Sequence, residues 1–450
     1  MALSKLKVIV IGGGPVGLTA AHALSKAGID FLVLERRPHI VMNAGSNLVL
    51  MPVDLRAMSQ LDLLEPLSGV SSPLGRIDRL DHKGHDLGDL QFFNQMRENH
   101  GVAPRVISRH DLMSVLYETL PSEHQQNILS NKKLSDIAST ADGVTVTCSD
   151  GSKYAGSIVI GADGAHSAVR DIMRRLSLAA GSEEVNLEEP FSTNFRALWV
   201  RFPKESDLAV GTTCETHGRD AATQLFVGEK SGVIGVYERL PEPTQKKVRY
   251  TEADQDALVD RWGHLPITGN SKFTLRDIYS KRLEAGLVSL EEGVVAHWSW
   301  NGRVVLAGDA AHKFTPSTGA GCNNGMIDIV ALVNKLYPLA LLSQASHGNE
   351  SIRPGPGEFE SAFKAYQASR HDAVLTECAG ASRATVTATW QTAIHKFLDC
   401  RVMSSHKVQK FLINSGAKSI ANSPSLFFAA GHTLANGRVP WAVPPLRATG

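Results

Sequence analysis

The 450-residue sequence predicts an α/β fold, and three observations carry the prediction. Residues 6–11 are an apolar run ending in glycines, 16–27 have helical apolar spacing, and 31–35 are a second apolar run. Together they read as a βαβ unit with a glycine turn after its first strand. From 191 to 240 the character changes to β-rich stretches, at 197–202 and 232–237, with Gly and Pro punctuation between them. From about Glu358 onward the pattern is mostly helical. The expected architecture is a Rossmann-like nucleotide-binding domain with an inserted β-sheet domain for substrate and a C-terminal helical region.

The remaining elements follow in chain order. Residues 52–64 read as a helix with Leu55, Met58, Leu61 and Leu64 on one face, and 110–120 as another, with Leu112, Leu116 and Leu120 stacked. The runs 144–148 and 157–162 flank the turn signal Ser149-Asp150-Gly151, as a hairpin would. Residues 304–307 are a short buried strand. The most apolar run, 327–342, is interrupted by Asp328, Asn334 and Lys335; it is expected to be a buried helix, too short to span a bilayer. The tail, 426–446, with Phe427, Phe428, Trp441 and its prolines, is expected to cover a pocket or touch a membrane surface without crossing it. The nucleotide-binding domain is expected at 1–75, 100–185 and 280–357. The substrate sheet is expected at 76–99 and 186–279, and the helical region at 358–450.

Composition excludes several function classes. Lys and Arg number 46 against 45 Asp and Glu, a net charge of +1, and the basic residues are scattered, so no nucleic-acid partner is expected. The five cysteines have neither CxxC nor metal-type spacing, which predicts no disulfide framework and no metal site. With a strand beginning almost at once, no room is expected for a signal peptide. A cytoplasmic protein is expected, with peripheral membrane contact left open and no transmembrane segment.

Three short stretches suit different parts of one FAD molecule: IGGGPVGL at 11–18, GADGAHSAVR at 161–170 and GDAAHKFTPSTGAG at 308–321. In the first, Gly12 permits a tight turn, Gly14 lets a pyrophosphate approach the backbone, and Gly17 allows close helix–strand packing. The helix N-terminus, with Val16 in its first turn, then offers amide donors to the phosphates. Glu35 ends the second strand where an adenosine ribose needs an acceptor, with Arg36 beside it; a carboxylate there disfavours a 2′-phosphate. Arg109 opens a helix and can clamp phosphate or ribityl oxygens, or stay solvated at the helix start. Asp163 and Gly164 form a turn that can hold a loop near the phosphates, and Asp309 is placed to accept ribityl hydroxyls. The loop 315–323 is small and glycine-rich before a helix, so its amides can face the flavin's pyrimidine edge and stabilise negative charge there. The domain is therefore expected to be an FAD-binding βαβ domain, and its likeness is to the glutathione-reductase-like form.

With these motifs, residues 6–336 resemble the single-component, group A (aromatic-hydroxylase-type) FAD-dependent monooxygenases. Within them the chain is most similar to the fungal branch acting on prenylated indoles, indole diterpenes and meroterpenoids. Gly45-Ser46-Asn47-Leu48 before Met51-Pro52, PFSTNFRALW at 190–199 and NGRVVLAGDAAHKFTP carry that likeness. The resemblance implies that 45–48 pass beside the isoalloxazine. Pro316 would lie near its reactive C4a, Gly319 in the same loop, and Gly321, Cys322 and Asn323 along the pyrimidine side. Arg196 would reach the ring from the substrate sheet, to donate a hydrogen bond to substrate or peroxide; alternatively it pairs with a surface carboxylate. FAD would be held non-covalently, with NAD(P)H as transient reductant. O2 would add at C4a, and its distal oxygen would epoxidise or hydroxylate a bulky, apolar, electron-rich small molecule, such as an indole C2–C3 bond or a prenyl alkene.

The chain departs from the family where Ala320-Gly321-Cys322-Asn323 replaces the usual Gln-Gly-Gly-Asn, and where Ile327-Asp328 replaces a Glu-Asp pair. His312 is expected to support the loop by packing and a backbone bond. Two other classes share the scaffold: a flavin-dependent reductase or dehydrogenase of isoprenoids without oxygen insertion, and a non-enzymatic lipid chaperone with no need of a flavin.

Overall fold

Val8, Ile9 and Val10 are fully buried, as a strand covered on both faces requires, and they occupy the middle of a six-stranded sheet. The computed structural model describes residues 6–42, 45–269, 273–344, 354–431 and 434–442. The last part of the expected tail, from Val443 to Leu446, lies outside the described residues. Lys7–Ile11 runs parallel to Asp30–Leu34 on one side and to Ile158–Gly161 on the other, and Val304–Leu306 continues the sheet. The helix Pro15–Lys26 connects the first two strands, with Pro15 at its start supplying a pre-set φ where no amide is needed.

Two expected elements differ. The hairpin around Ser149-Asp150-Gly151 is made by Gly143–Cys148 and Lys153–Gly156, and the 157–162 run is not its second arm. Ile158, Val159 and Ile160 form a continuous apolar triplet, which suits a parallel strand buried on both faces better than a half-solvated arm. The expected helix 52–64 stops at Gln60, because Asp62 takes a left-handed φ of 61°, and a second short helix, Leu64–Gly69, follows.

The second large sheet has eight strands. His312–Lys313, Glu284–Val294, Ser192–Pro203, Ser231–Thr244, Ala221–Val227 and Thr213–Gly218 lie side by side and antiparallel, and Ile77–Asp81 joins in parallel with Asp86–Leu90 beyond it. Leu198, Val200, Phe202, Ile234 and Val236 bury one face against the helices Glu252–Trp262 and Leu275–Ser280. Alternation then turns Ala197, Trp199, Tyr237 and Leu290 toward the nucleotide-binding half.

Two long helices join the halves. Ala320–Gln344 is longer than expected and is the described helix long and apolar enough, by length and composition, to cross a membrane. Its Met326, Ile329, Val330, Leu332, Val333 and Leu336 are fully buried in the main core, packed with Pro15–Lys26 and Pro356–Ala388. Pro356–Ala388 buries Phe359, Phe363 and Tyr366 in that core and reaches the eight-stranded sheet with Val386 and Ala388.

Residues 434–442 form a strap across the helix Phe92–His100. Arg438 and Val439 amides donate to the Glu98 and Asn99 carbonyls at 2.9 Å. Gly101, at φ 81°, and Gly437 let the two backbones cross, since a Cβ on the first would strike Ala435 and on the second Asn99. Trp441 lies against His100, ring centroids 5.2 Å apart, with the Arg56 guanidinium 4.7 Å from its own ring centre.

Candidate active site

A single cavity of about 1180 Å³ runs from the glycine turn to the eight-stranded sheet. It exceeds the roughly 300–1,000 Å³ of an ordinary small-molecule pocket, so it has room for a cofactor and a second molecule.

At one end the walls are mostly backbone. Gly12 has a φ of 105° and leaves no room for a Cβ beneath Ala162 and Asp163; Gly14 faces open space. Gly17 is not in the wall: it presses the helix onto the Gly12 carbonyl, the close packing expected of the third glycine. Val16 lines the cavity and fits against Gly308 and Gly325. Glu35 is buried, and its carboxylate accepts the Gly13 amide at 2.7 Å and the Arg37 amide at 2.8 Å. Those bonds aim the carboxylate while leaving acceptor capacity for a ligand. Arg36 lines this end, and so do Arg37, Lys132 and Lys133, which the sequence reading missed; their signal was no more than position after the second strand and before the next sheet.

In the middle, Ser46, Asn47, Leu48, Arg109, Asp163, Gly164 and Asp309 face the cavity. Gly45 stands behind Arg109, where a Cβ would lie 2.8 Å from the arginine Cδ. Asp163 accepts the Ser167 hydroxyl and the Val169 amide, binding its turn to the following helix. Burial lifts its carboxyl above the usual value against the pull of those donors. Arg170 ties this turn to the next motif by donating to the Ala165 and Ala310 carbonyls. The Asp309 carboxylate accepts no hydrogen bond from the described residues and borders the cavity. The side-chain oxygens of Asn47 and Thr318, also in the wall, are buried without partners. Such orphaned groups fit a polar ligand that completes them.

Pro316, Gly319, Gly321 and Cys322 border the cavity where a tight turn, with Gly319 at φ 67°, leads into the helix Ala320–Gln344. Its first amides have no intrahelical partner and form an anion-stabilising edge. Burial pushes the Cys322 thiol up to about 12, so it stays a neutral packing group. Asn323 corrects an expectation. It is buried away from the cavity, and its amide donates to the Val49 carbonyl at 2.8 Å and to the Gly319 carbonyl, stapling the loop to the strand Asn47–Leu50.

His312 is also placed differently. Its Nε2 meets the Asp328 carboxylate at 2.5 Å, and no backbone bond forms. Asp328 also accepts the Gly308 amide and Arg370 Nε. Burial alone would raise the Asp328 pKa, but His312 and Arg370 hold it below the ordinary carboxylate value. This buried centre fixes the loop that carries Asp309.

Arg196 does not reach the cavity. Its Nε donates to Glu238 at 2.7 Å, and Glu238 is shared with Arg261 and Trp262 of the outer helix. Ala197 and Trp199 point inward, so strand alternation sends Arg196 to the opposite face, and the expected contact with substrate or peroxide is overturned. Phe195 and Leu198 are likewise absent from the wall, while Trp199 and Phe226 line it. Polar groups at this end include Glu215, Gln224 and Tyr237, with Tyr250, Ser289, Glu291 and Lys313 also in the wall, and no local motif announces them. Among the described residues, no group of three or more His, Cys, Asp or Glu could hold a metal ion.

The model of the FAD binding domain family matches residues 5–347. FAD-dependent monooxygenase DEP2 of Alternaria brassicicola is 33% identical over 379 residues, 82% of this chain and 69% of that protein. FAD-dependent monooxygenase ausM of Penicillium brasilianum is 31% identical over 345 residues, 76% and 71% of the two chains. Among solved structures, Klebsiella pneumoniae HpxO complexed with FAD and uric acid superposes with a TM-score of 0.70 at 21% identity, covering 92% of this chain and 96% of that one. The p-nitrophenol 4-monooxygenase PnpA of Pseudomonas putida DLL-E4 gives 0.72 at 18% identity, over 92% and 98%.

Proposed function

Because this chain belongs to the FAD-binding-domain family and to its FAD-dependent monooxygenases of the group A type, we propose that it oxygenates a bulky, electron-rich secondary metabolite. The substrate is an indole C2–C3 bond or a prenyl alkene, NAD(P)H is the transient reductant and O2 the oxidant. The observation that carries this reading is the continuity of one cavity from Glu35 and the glycine turn to Trp199, Phe226 and Tyr237.

The bound flavin supplies the electron-transfer and oxygen-activating chemistry. The residues of the chain bind, orient and enclose. Glu35 accepts the ribose hydroxyls, the amides at the start of Pro15–Lys26 take the pyrophosphate, and Asp309 takes the ribityl chain. Arg109 adds charge-assisted bonds. The amides of 319–322 would face the flavin's pyrimidine edge and could stabilise negative charge there. Trp199, Phe226, Val233, Leu287 and Leu290 supply an apolar, water-poor wall for the substrate.

Purified protein supplied with NAD(P)H, isotopically labelled O2 and a panel of prenylated indoles, terpenoids and phenols tests the reading. One labelled oxygen atom in product, with NAD(P)H consumed in step, is expected. NAD(P)H consumption with a reduced, unlabelled product would favour the reductase class, and a colourless protein the non-enzymatic one.

A further inference from the structure

Behind the sheet end of the cavity lies a cluster of charges that flavin binding does not use. Glu215 and His217 are two residues apart on Thr213–Gly218 and share a sheet face, and Gln224 is the direct cross-strand partner of Glu215. His217 lies between two carboxylates, with Nε2 3.0 Å from Glu215 and Nδ1 2.9 Å from Asp399. Asp399 also receives Arg79 at 2.6 Å and the Trp390 indole N–H at 2.7 Å. Burial disfavours a charged imidazole, yet the flanking carboxylates outweigh it and push the His217 pKa up to about 9. The imidazolium therefore donates to both, and two cations balance two anions.

The cavity side of this cluster is Glu215. Gln224 donates to its free oxygen at 2.8 Å and to the Ser317 carbonyl at 3.1 Å, and the Tyr237 hydroxyl donates to Gln224 at 2.9 Å. An ionised carboxylate has about four acceptor positions, and the protein fills two of them. Its neighbours in the wall, Trp199, Phe226 and Val233, have little to offer a polar molecule. Through Gln224 the carboxylate is one side chain away from the 316–318 turn, so a group bound there sits beside the flavin loop.

Resting on the monooxygenase reading above, we propose that Glu215 is the specificity-determining residue of the substrate end. It accepts a hydrogen bond from an N–H or O–H conjugated with the π-bond that is oxygenated, as in an indole, enol or phenol. The bond orients the ring against the flavin loop and adds electron density to the reacting carbon. His217, Asp399 and Arg79 are positioning residues that hold the Glu215 carboxylate aimed at the cavity. A bare prenyl alkene has no donor to satisfy this acceptor and leaves it buried and under-solvated.

The test uses the flavin-loaded protein and matched probes: a 3-prenylindole and its N-methyl derivative, a prenylated phenol and its methyl ether. Binding is read from the perturbation of the flavin absorbance spectrum. The donor-bearing member of a pair should bind roughly tenfold or more tightly than its methylated partner, as expected for a hydrogen bond to a charged acceptor. Glu215→Gln should level the pair with flavin content unchanged. Glu215→Asp keeps a charge beside His217 and withdraws it from the cavity, so it must shrink the discrimination even where the glutamine variant does not fold. Asp399→Asn should shrink it too, with partial rescue by Asp399→Glu, an outcome that general loosening would not give. Equal affinity within both pairs in the unmodified protein, or no binding of either donor-bearing probe, overturns the assignment. Failure of the unmodified protein to retain FAD overturns the monooxygenase reading itself, and the flavin spectrum separates the two results.

Discussion

At its nucleotide end the cavity is walled by backbone: Gly12, Gly14, the first turn of Pro15–Lys26 and the amides that aim Glu35, all within one βαβ unit. At its sheet end it is walled by side chains from separate strands, with Glu215, Gln224 and Tyr237 held in place by Arg79 and Asp399 from distant segments. Backbone walls tolerate almost no added volume but little depends on distant partners. Side-chain walls accept small changes of shape but fail when a remote charge is lost. A family can therefore keep its cofactor while changing what it oxidises.

The largest effect that sharpens this contrast is expected at Gly17. An added methyl would strike the Gly12 carbonyl, so Gly17→Ala should yield protein without flavin, read from the ratio of flavin to protein absorbance. A yellow Gly17→Ala protein would break the contrast at its stiffest point. Next is Glu35→Ala, which removes a charged acceptor and leaves the Gly13 and Arg37 amides without it. A loss on the order of 1.5–3 kcal/mol, or about tenfold to a hundredfold in FAD affinity, is expected by fluorescence titration.

The sheet end should show itself in pH dependence. The histidine value of 6.5 is raised to about 9 at His217, so the native state holds this proton more tightly than the unfolded chain. The associated stability is complete below the unfolded value and is lost as pH rises through the folded one. Thermal melts should therefore show Tm falling as pH is taken from 6.5 past about 9, with a shallower slope in His217→Gln. An unchanged slope in that variant would remove His217 from the account. The smallest effect is expected for Arg196→Ala. Glu238 keeps Arg261 and Trp262, so a cost of about 1 kcal/mol or less in stability is expected, with flavin content and turnover close to the unmodified protein. Loss of product with an intact flavin would bring Arg196 back into the reaction.

These two ends also differ in how far the amino-acid sequence reveals them. The glycine turn, Glu35, Asp163 and Asp309 are short-range signals, because a turn of positive φ or a carboxylate at a strand end is specified within a few residues. The same local logic does not place Ile158–Gly161, since an apolar triplet does not say which strand it joins, and it pairs in parallel with Lys7–Ile11 and not in the hairpin. For Arg196 the sequence leaves two faces of one strand open, and the inward placement of Ala197 and Trp199 decides between them. Glu215 and His217 at a spacing of two, with Gln224 across the turn, could have been noticed as one sheet face. Nothing in the sequence brings Asp399 to them, because that contact spans 182 residues and depends on how the C-terminal helices fold back.

The crossing at Gly101 and Gly437 has a consequence for anyone altering this protein. Each glycine exists to make room for the other strand, so the sites share one steric requirement. Alanine at either position should lift the strap from Phe92–His100, and alanine at both should cost little more than one alone. The two substitutions would be strongly non-additive in a double-mutant cycle, and a library that randomises the chain terminus while holding position 101 constant would sample only half of a coupled pair.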